Sequence, residues 1–249
     1  MMKKSDYITL GYDLERWQEY GAKEPIIIDI TPKTNSHILI CGMSGSGKSY
    51  AENSIFARLI LADSDSECYF ADYKQEDSFE YLRSCPRYYS YKKTIEALDI
   101  VYEKLQKRLS GEDNTRHAVV MIWDEYVANI LSLQNEDKKY ATSVMNKVAE
   151  ILMIGRTMNI KFICSCQRAD ASVFPSGSRF NYGAILILGA FNRIVYEMLV
   201  PEHMEKVKGK EFQRGEGVLL VQGSELHFIK IPTVRDENQM QAVCIKALS

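Results

Sequence analysis

The residues best suited to chemistry stand together in Cys41–Tyr50, which reads CGMSGSGKSY. Within it, Gly42, Met43, Ser44, Gly45, Ser46, Gly47, Lys48 and Ser49 fill every fixed position of GxxxxGK[ST], the phosphate-binding loop. The glycines let the backbone curl so that its N–H groups point inward at phosphate oxygens. A helix that starts at the loop presents its positive end to the same anion. Lys48 has the charge to neutralise β- and γ-phosphates, the Ser49 hydroxyl is a ligand type for Mg²⁺, and Tyr50 opens the segment that follows. The pattern therefore implies a nucleoside triphosphate, ATP, with Mg²⁺.

A second chemical pair lies downstream. The apolar run Ala118–Trp123 ends in Asp124-Glu125, the form of a Walker B element, whose aspartate serves Mg²⁺ directly or through water. Glu125 beside it has the chemistry of a general base for an attacking water. Two further polar strand ends are candidates. Glu67–Ala71 runs into Asp72-Tyr73-Lys74, which serves either the site or a solvated loop. Asn159–Cys166 runs into Gln167-Arg168, where the amide either senses a γ-phosphate or belongs to a plain loop.

These side chains need strands and helices to position them. His37–Cys41 reads as the strand entering the phosphate loop and Ser49–Ile60 as the helix leaving it, the context the motif requires. Pro25–Ile30 reads as a short buried strand and Thr31–Ser36 as a polar turn. Ile95, Leu98, Val101, Leu105 and Leu109 recur at helical spacing in Thr94–Leu109, and Met145, Val148, Ile151, Leu152 and Gly155 do so in Tyr140–Met158. The unbroken apolar run at 118–123 predicts a central parallel strand buried on both faces, and Tyr182–Gly189 another buried strand. Arg193–Met198 and Glu202–Val207 read as short helices. Val218–Val221, Gln222-Gly223-Ser224 and Leu226–Ile231 predict a C-terminal hairpin, and Glu237–Leu248 a last helix. The fold class is α/β: a mostly parallel central sheet flanked by helices, with the hairpin at its end.

Composition narrows the partners. The chain has 249 residues, 46% hydrophobic and 26% charged, enough for one large domain. The net charge of −2 gives no global attraction to nucleic acid, so DNA contact requires a local basic surface or one made by oligomerisation. Six cysteines show no disulfide framework, which suits a reducing cytoplasm. Cys41, Cys164 and Cys166 sit in apolar runs as small buried hydrophobes. Neither the cysteines nor the four histidines have zinc-site spacing, and the methionines read as core packing. The N-terminus carries no signal-peptide core, and no stretch is long enough to span a bilayer.

Taken in order, these segments resemble the FtsK/SpoIIIE/HerA-type motor ATPases over 7–235. The run 37–42 with SGSGKS resembles that family's HLLIAG-TGSGKS signature, and Ala71–Lys74 its IDPK element. Residues 8–13 with 27–30 resemble the segment before its phosphate loop, and Glu103 and Arg108, one residue further apart, resemble its E-x-x-x-R pattern. Gly155-Arg156 before Cys166-Gln167-Arg168 is similar to its GRA-x-GIH…ATQRP run, and Phe212–Gly217 to its late glycine-rich turn. The resemblance implies a RecA-like core over 37–235, with 1–36 as lead-in and 236–249 as tail. It also implies a ring, usually a hexamer, that drives double-stranded DNA without sequence preference. Arg156 would then be the arginine finger reaching a neighbour's γ-phosphate, or else a cation at a helix C-terminus. Gln167 would be the γ-phosphate sensor. Arg179, Lys206, Lys208 and Lys210 are candidates for DNA phosphates, each also readable as a solvated face.

Departures shape what is expected. The family's membrane-spanning and winged-helix parts have no counterpart here, Ala169 stands where the family has proline, and Gln134–Lys139 adds polar residues. These point away from chromosome segregation and toward a motor of a plasmid, integrative element or phage, recruited by a membrane-channel or other protein partner. The rival readings are a protein-secretion motor of the same fold and a nucleotide-dependent assembly protein that does not hydrolyse. A small-molecule kinase ranks last, because no lid or acceptor site is recognisable.

Overall fold

A computed structural model of the chain describes residues 4–32, 34, 37–190 and 192–249. Among the described residues, ten strands form one sheet: β1 (Tyr7–Asp13), β2 (Pro25–Asp29), β3 (Ile38–Gly42), β4 (Glu67–Asp72), β5 (Tyr88–Ser90), β6 (Val119–Asp124), β7 (Ile160–Cys166), β8 (Ala184–Leu188), β9 (Glu216–Val221) and β10 (Glu225–Lys230). The helices are α1 (Leu14–Tyr20), α2 (Lys48–Ala62), α3 (Thr94–Ser110), α4 (Tyr126–Glu136), α5 (Lys138–Ile154), α6 (Arg193–Leu199), α7 (Met204–Val207) and α8 (Glu237–Leu248).

The strand order is β2-β1-β10-β9-β8-β3-β7-β6-β4-β5. From β8 to β5 every neighbour is parallel, and from β8 to β2 every neighbour is antiparallel. The phosphate-loop strand β3 thus lies between β7 and β8 in the parallel half. Strands buried on both faces need no alternation, and β3, β6, β7 and β8 are buried at every position. Successive side chains still divide between the faces. Leu39, Cys41, Val119, Met121 and Trp123 pack with residues of α3, α4 and α5. Ile38, Ile40, Val120 and Ile122 pack with residues of α2 and α8. All six cysteines are free and buried, as small apolar residues are. Among the described residues no helix is long and apolar enough to cross a membrane.

Several elements differ from expectation. Tyr7–Asp13 is a strand whose register shifts at Thr9/Gly11 against β2, a bulge that hides its period. The strand expected over Pro25–Ile30 runs Pro25–Asp29 as one of the sheet's two edges, with Ile26 and Ile28 inward and Ile27 exposed. Leu109 is likewise exposed at the end of α3. The helix expected over Tyr140–Met158 begins at Lys138 and ends at Ile154, and Gly155–Met158 tightens into a 3-10 turn. The segment before it forms α4. Its end meets the start of α5 at Asp137, whose carboxylate accepts hydrogen bonds from the N–H groups of Lys139 and Tyr140. The polar turn expected over Thr31–Ser36 falls partly outside the described residues, as do Met1, Met2 and Lys3. The last helix packs on α2 and β4, with Cys244 and Leu248 fully buried.

One buried group makes the fold sensitive to acid. His37, immediately before β3, is fully buried and accepts a hydrogen bond at Nδ1 from Phe162 N–H (3.0 Å). Burial, then the nearby Lys161 and Arg156 charges, lowers its pKa from 6.5 to about 3. The folded value lies below the unfolded one, so this contribution to stability is complete above pH 6.5 and is lost as pH falls toward 3. Across that window wild type should lose up to about 1.4 kcal/mol more per pH unit than His37→Asn, in urea denaturation at a series of pH values.

Candidate active site

The carboxyl ends of β3, β4, β6 and β7 open on one side of the sheet, where open parallel sheets place their ligands. The phosphate loop turns from β3 into α2 through Gly47, whose φ of 95° lies in the left-handed region. A β-carbon there would also stand 3.2 Å from the Gly215 nitrogen. Gly215 N–H in turn donates to the Ser46 carbonyl (2.8 Å). The late glycine turn at Phe212–Gly217 therefore braces the phosphate loop, and exposed Arg214 lines the same cavity. That cavity holds about 620 Å³, and Met43, Ser44, Gly45, Gly47, Lys48, Ser49, Tyr50 and Gln167 contribute to its wall. Tyr50 also accepts, at its hydroxyl, a hydrogen bond from Val234 N–H. Residues Glu237, Met240 and Gln241 of α8 complete the rim.

Lys48, Asp124 and Glu125 are brought together. Lys48 Nζ is 2.6 Å from Asp124 Oδ1 and 3.1 Å from Glu125 Oε1, and all three residues are buried. Burial alone would disfavour the ammonium ion, but Asp124, Glu52 and Glu125 outweigh it and raise its pKa. Glu52, one turn along α2, is buried with neither oxygen hydrogen-bonded among the described residues. Burial and the Asp124 charge push its pKa well above the ordinary range. Ser165, inside β7, donates to Asp124 Oδ1 (2.5 Å) and accepts from Lys48 Nζ (3.3 Å) and Glu125 N–H (3.4 Å). Glu125 has a left-handed φ of 56°, where β6 turns directly into α4. A non-glycine residue there carries backbone strain of the kind seen at functional sites.

The loop after β4 supplies two more groups. Asp72 is buried and accepts from Gln75 N–H (2.6 Å) and the Tyr88 hydroxyl (2.7 Å), and burial foremost raises its pKa to about 6. It shapes the loop, and the loop delivers Lys74 to Glu125 Oε2 at 3.2 Å. Lys74 thus belongs to the site. Glu76 accepts a hydrogen bond from the Ser49 hydroxyl (2.8 Å). Glu76, Asp124 and Glu125 each offer an oxygen within 4.8 Å of the others. Asp124 Oδ2 is buried without a hydrogen-bond partner among the described residues, so an oxygen-seeking cation such as Mg²⁺ fits beside Ser49 and Asp124.

Gln167 lies in the walls of both this cavity and a neighbouring one of about 640 Å³ that Lys74, Glu125 and Arg168 also line. Arg156 lies elsewhere. It is in the 3-10 turn that leads into β7, at the strand-entry end beside His37, opposite its own chain's phosphate loop. Buried Arg108 ties that turn down, donating from Nη1 to the Met158 carbonyl (2.6 Å) and from Nε to Asp113 (3.0 Å). Glu103 is exposed and pairs with Lys107. Of the basic residues, Lys210 pairs with Glu15 and stacks over Phe228, Arg179 lies over Phe180, and Lys206 and Lys208 are exposed.

Ser165, Glu76 and Arg214 are the site residues that motif reading misses. Only the run of apolar neighbours around Ser165 signals that its hydroxyl needs a buried partner. Replacing Ser165 with alanine leaves Asp124 Oδ1 and the Glu125 N–H short of a partner. The Ser165→Ala variant should lose about 1–3 kcal/mol of stability in urea denaturation.

No protein-family model matches the chain. It is 26% identical over 208 residues to the FtsK domain-containing protein YdcQ of Bacillus subtilis, covering 77% of this chain and 42% of the relative. The chain thus spans less than half of the curated relative it matches. The conjugation coupling protein TcpA of pCW3, solved with ATPγS, superposes with a TM-score of 0.71 at 16% identity, over 96% of this chain and 70% of that one. The cytoplasmic domain of the type VII secretion ATPase EccC of Thermomonospora curvata superposes with a TM-score of 0.67 at 17% identity, over all of this chain and 32% of that one. In motifs and in architecture, the chain is a P-loop protein with a RecA-like fold, similar to the FtsK/SpoIIIE/HerA-type ATPases.

Proposed function

We propose that this chain is a single motor domain, cytoplasmic, that hydrolyses ATP and translocates double-stranded DNA as a ring, in transfer or packaging of a plasmid, integrative element or phage. The observation that carries the reading is the convergence of Lys48, Asp124 and Glu125 in one buried cluster against the phosphate loop. In this reading the backbone of Gly42–Ser49 and the amino end of α2 hold the phosphates. Lys48 moves from the carboxylates to the β- and γ-phosphate oxygens. Ser49 and Asp124 would hold Mg²⁺, which when bound supplies charge neutralisation at those oxygens. Glu125 accepts the proton of the attacking water. Lys48 and Lys74 hold it between two cations until then. Gln167 senses the γ-phosphate from the cavity wall.

Arg156 faces away from its own site, so its role as arginine finger requires a second copy of the chain. A neighbour that sets its strand-entry end against the cavity supplies the guanidinium in trans. The ring, taken as a hexamer, follows from that need. Contacts to DNA go to phosphates and weaken steeply with salt.

The likeness to EccC over the whole chain favours a second reading, a motor that moves protein. A non-hydrolysing assembly protein has no use for Glu125 held at the loop. ATPase rate with and without linear duplex DNA, alongside the mass of the assembly, distinguishes the three. The DNA motor shows hydrolysis that rises with duplex DNA and with protein concentration. The protein motor hydrolyses without response to DNA. Glu125→Gln should keep nucleotide binding and lower the rate by about 10²-fold or more; an unchanged rate refutes the general-base role.

A further inference from the structure

The acid cluster is larger than the phosphate loop and the strand-end aspartate require. Glu76 comes from the loop after β4, outside both motifs, yet it lines the same cavity as Lys48 and Ser49. It holds the hydroxyl of Ser49 at 2.8 Å. It also brings a third carboxylate within 4.8 Å of Asp124 and Glu125. An independent observation points to a ligand here: Asp124 is fully buried, and its Oδ2 has no hydrogen-bond partner among the described residues. The cluster already holds two side-chain cations: Lys48 Nζ sits 2.6 Å from Asp124 and 3.1 Å from Glu125, and Lys74 Nζ lies 3.2 Å from the other Glu125 oxygen.

We propose that Glu76 is a third carboxylate of the divalent-cation site, and that Lys48 occupies the place of that cation until nucleotide draws it to the phosphates. The proposal deepens the nucleotide reading and rests on it. Oxygen-rich sites of this kind select Mg²⁺ or Mn²⁺. Glu76 sits on the rim, half-buried, so its removal leaves the packed core alone.

Mn²⁺ titration followed by electron paramagnetic resonance tests the assignment. With the chain loaded with ATPγS, Glu76→Gln should weaken Mn²⁺ binding about tenfold. Binding of a fluorescent ATP analogue in EDTA, measured in parallel, separates any change in nucleotide affinity from the loss of Mn²⁺ binding. Without nucleotide, Lys48→Met should bind Mn²⁺ more tightly than wild type, and Lys48→Met/Glu76→Gln should lose the gain. Equal Mn²⁺ affinity of Glu76→Gln and wild type overturns the proposal, leaving Glu76 only to orient the Ser49 hydroxyl. If wild type binds no nucleotide, the nucleotide reading fails, and the nucleotide-free series still decides whether Glu76 belongs to a cation site. If Lys48→Met does not fold, the ATPγS-loaded comparison decides alone.

Discussion

An ammonium ion buried between two carboxylates is the interaction on which this structure depends. Lys48 belongs to the phosphate loop, Asp124 and Glu125 to the end of β6, and they meet only because β3 and β6 flank β7 in one parallel sheet. Charges so buried are tolerated only when paired. Removing one partner of such a group typically costs about 3–5 kcal/mol, because the other is left uncompensated. The cluster therefore ties the start of α2 to the ends of β6 and β7, and Ser165 of β7 completes it by bonding Asp124. The same pairing stores the site in a form that nucleotide must open. Lys48 can serve phosphates only by leaving Asp124 and Glu125, whose charges then call for another cation.

Topology separates the chemistry into two ends. Most of the polar groups around the phosphate loop come from carboxyl ends of strands or from loops beyond them: Lys48, Lys74, Glu76, Asp124, Glu125 and Gln167. Arg156 and His37 come from the opposite end, where Arg108 fastens the turn that carries Arg156. In a chain whose own sheet stands between these ends, an arginine finger and a nucleotide can meet only across an interface between subunits. The late turn at Phe212–Gly217 has a related use. It reads as a glycine-rich connection, but its backbone reaches back to Ser46 and holds the phosphate loop against the antiparallel half of the sheet.

Much of this was legible from residue order because strong local signals and tertiary needs agree. Unbroken apolar runs marked β6 and β8, the phosphate-loop context marked β3, a mainly apolar run ending in Gln167-Arg168 marked β7, helical periodicity marked α3 and α5, and turn chemistry marked the β9–β10 hairpin. The phosphate loop and Asp124-Glu125 are sequence-local motifs whose meeting follows from the fold. What escaped depends on contacts without a local signature. β1 has a bulge that breaks its alternation, and α4 is short and amphipathic, next to a polar segment. Ser165 looks like one more strand residue until Asp124 is seen beside it. Glu76 is one of many surface acids until the Asp72-capped loop folds it over Ser49.

The central claim, that the phosphate loop is one side of a site completed by a neighbour, is tested most directly by mixing two inactive variants. Glu125→Gln lacks the base but presents Arg156, while Arg156→Ala lacks the finger but keeps Glu125. Each alone should hydrolyse ATP slowly, Arg156→Ala by about 10³-fold or more below wild type. Their mixture should exceed either parent by about tenfold or more, because a Glu125→Gln subunit then supplies Arg156 to an intact Glu125. Wild-type activity of Arg156→Ala, or a mixture no faster than its parents, would contradict the account.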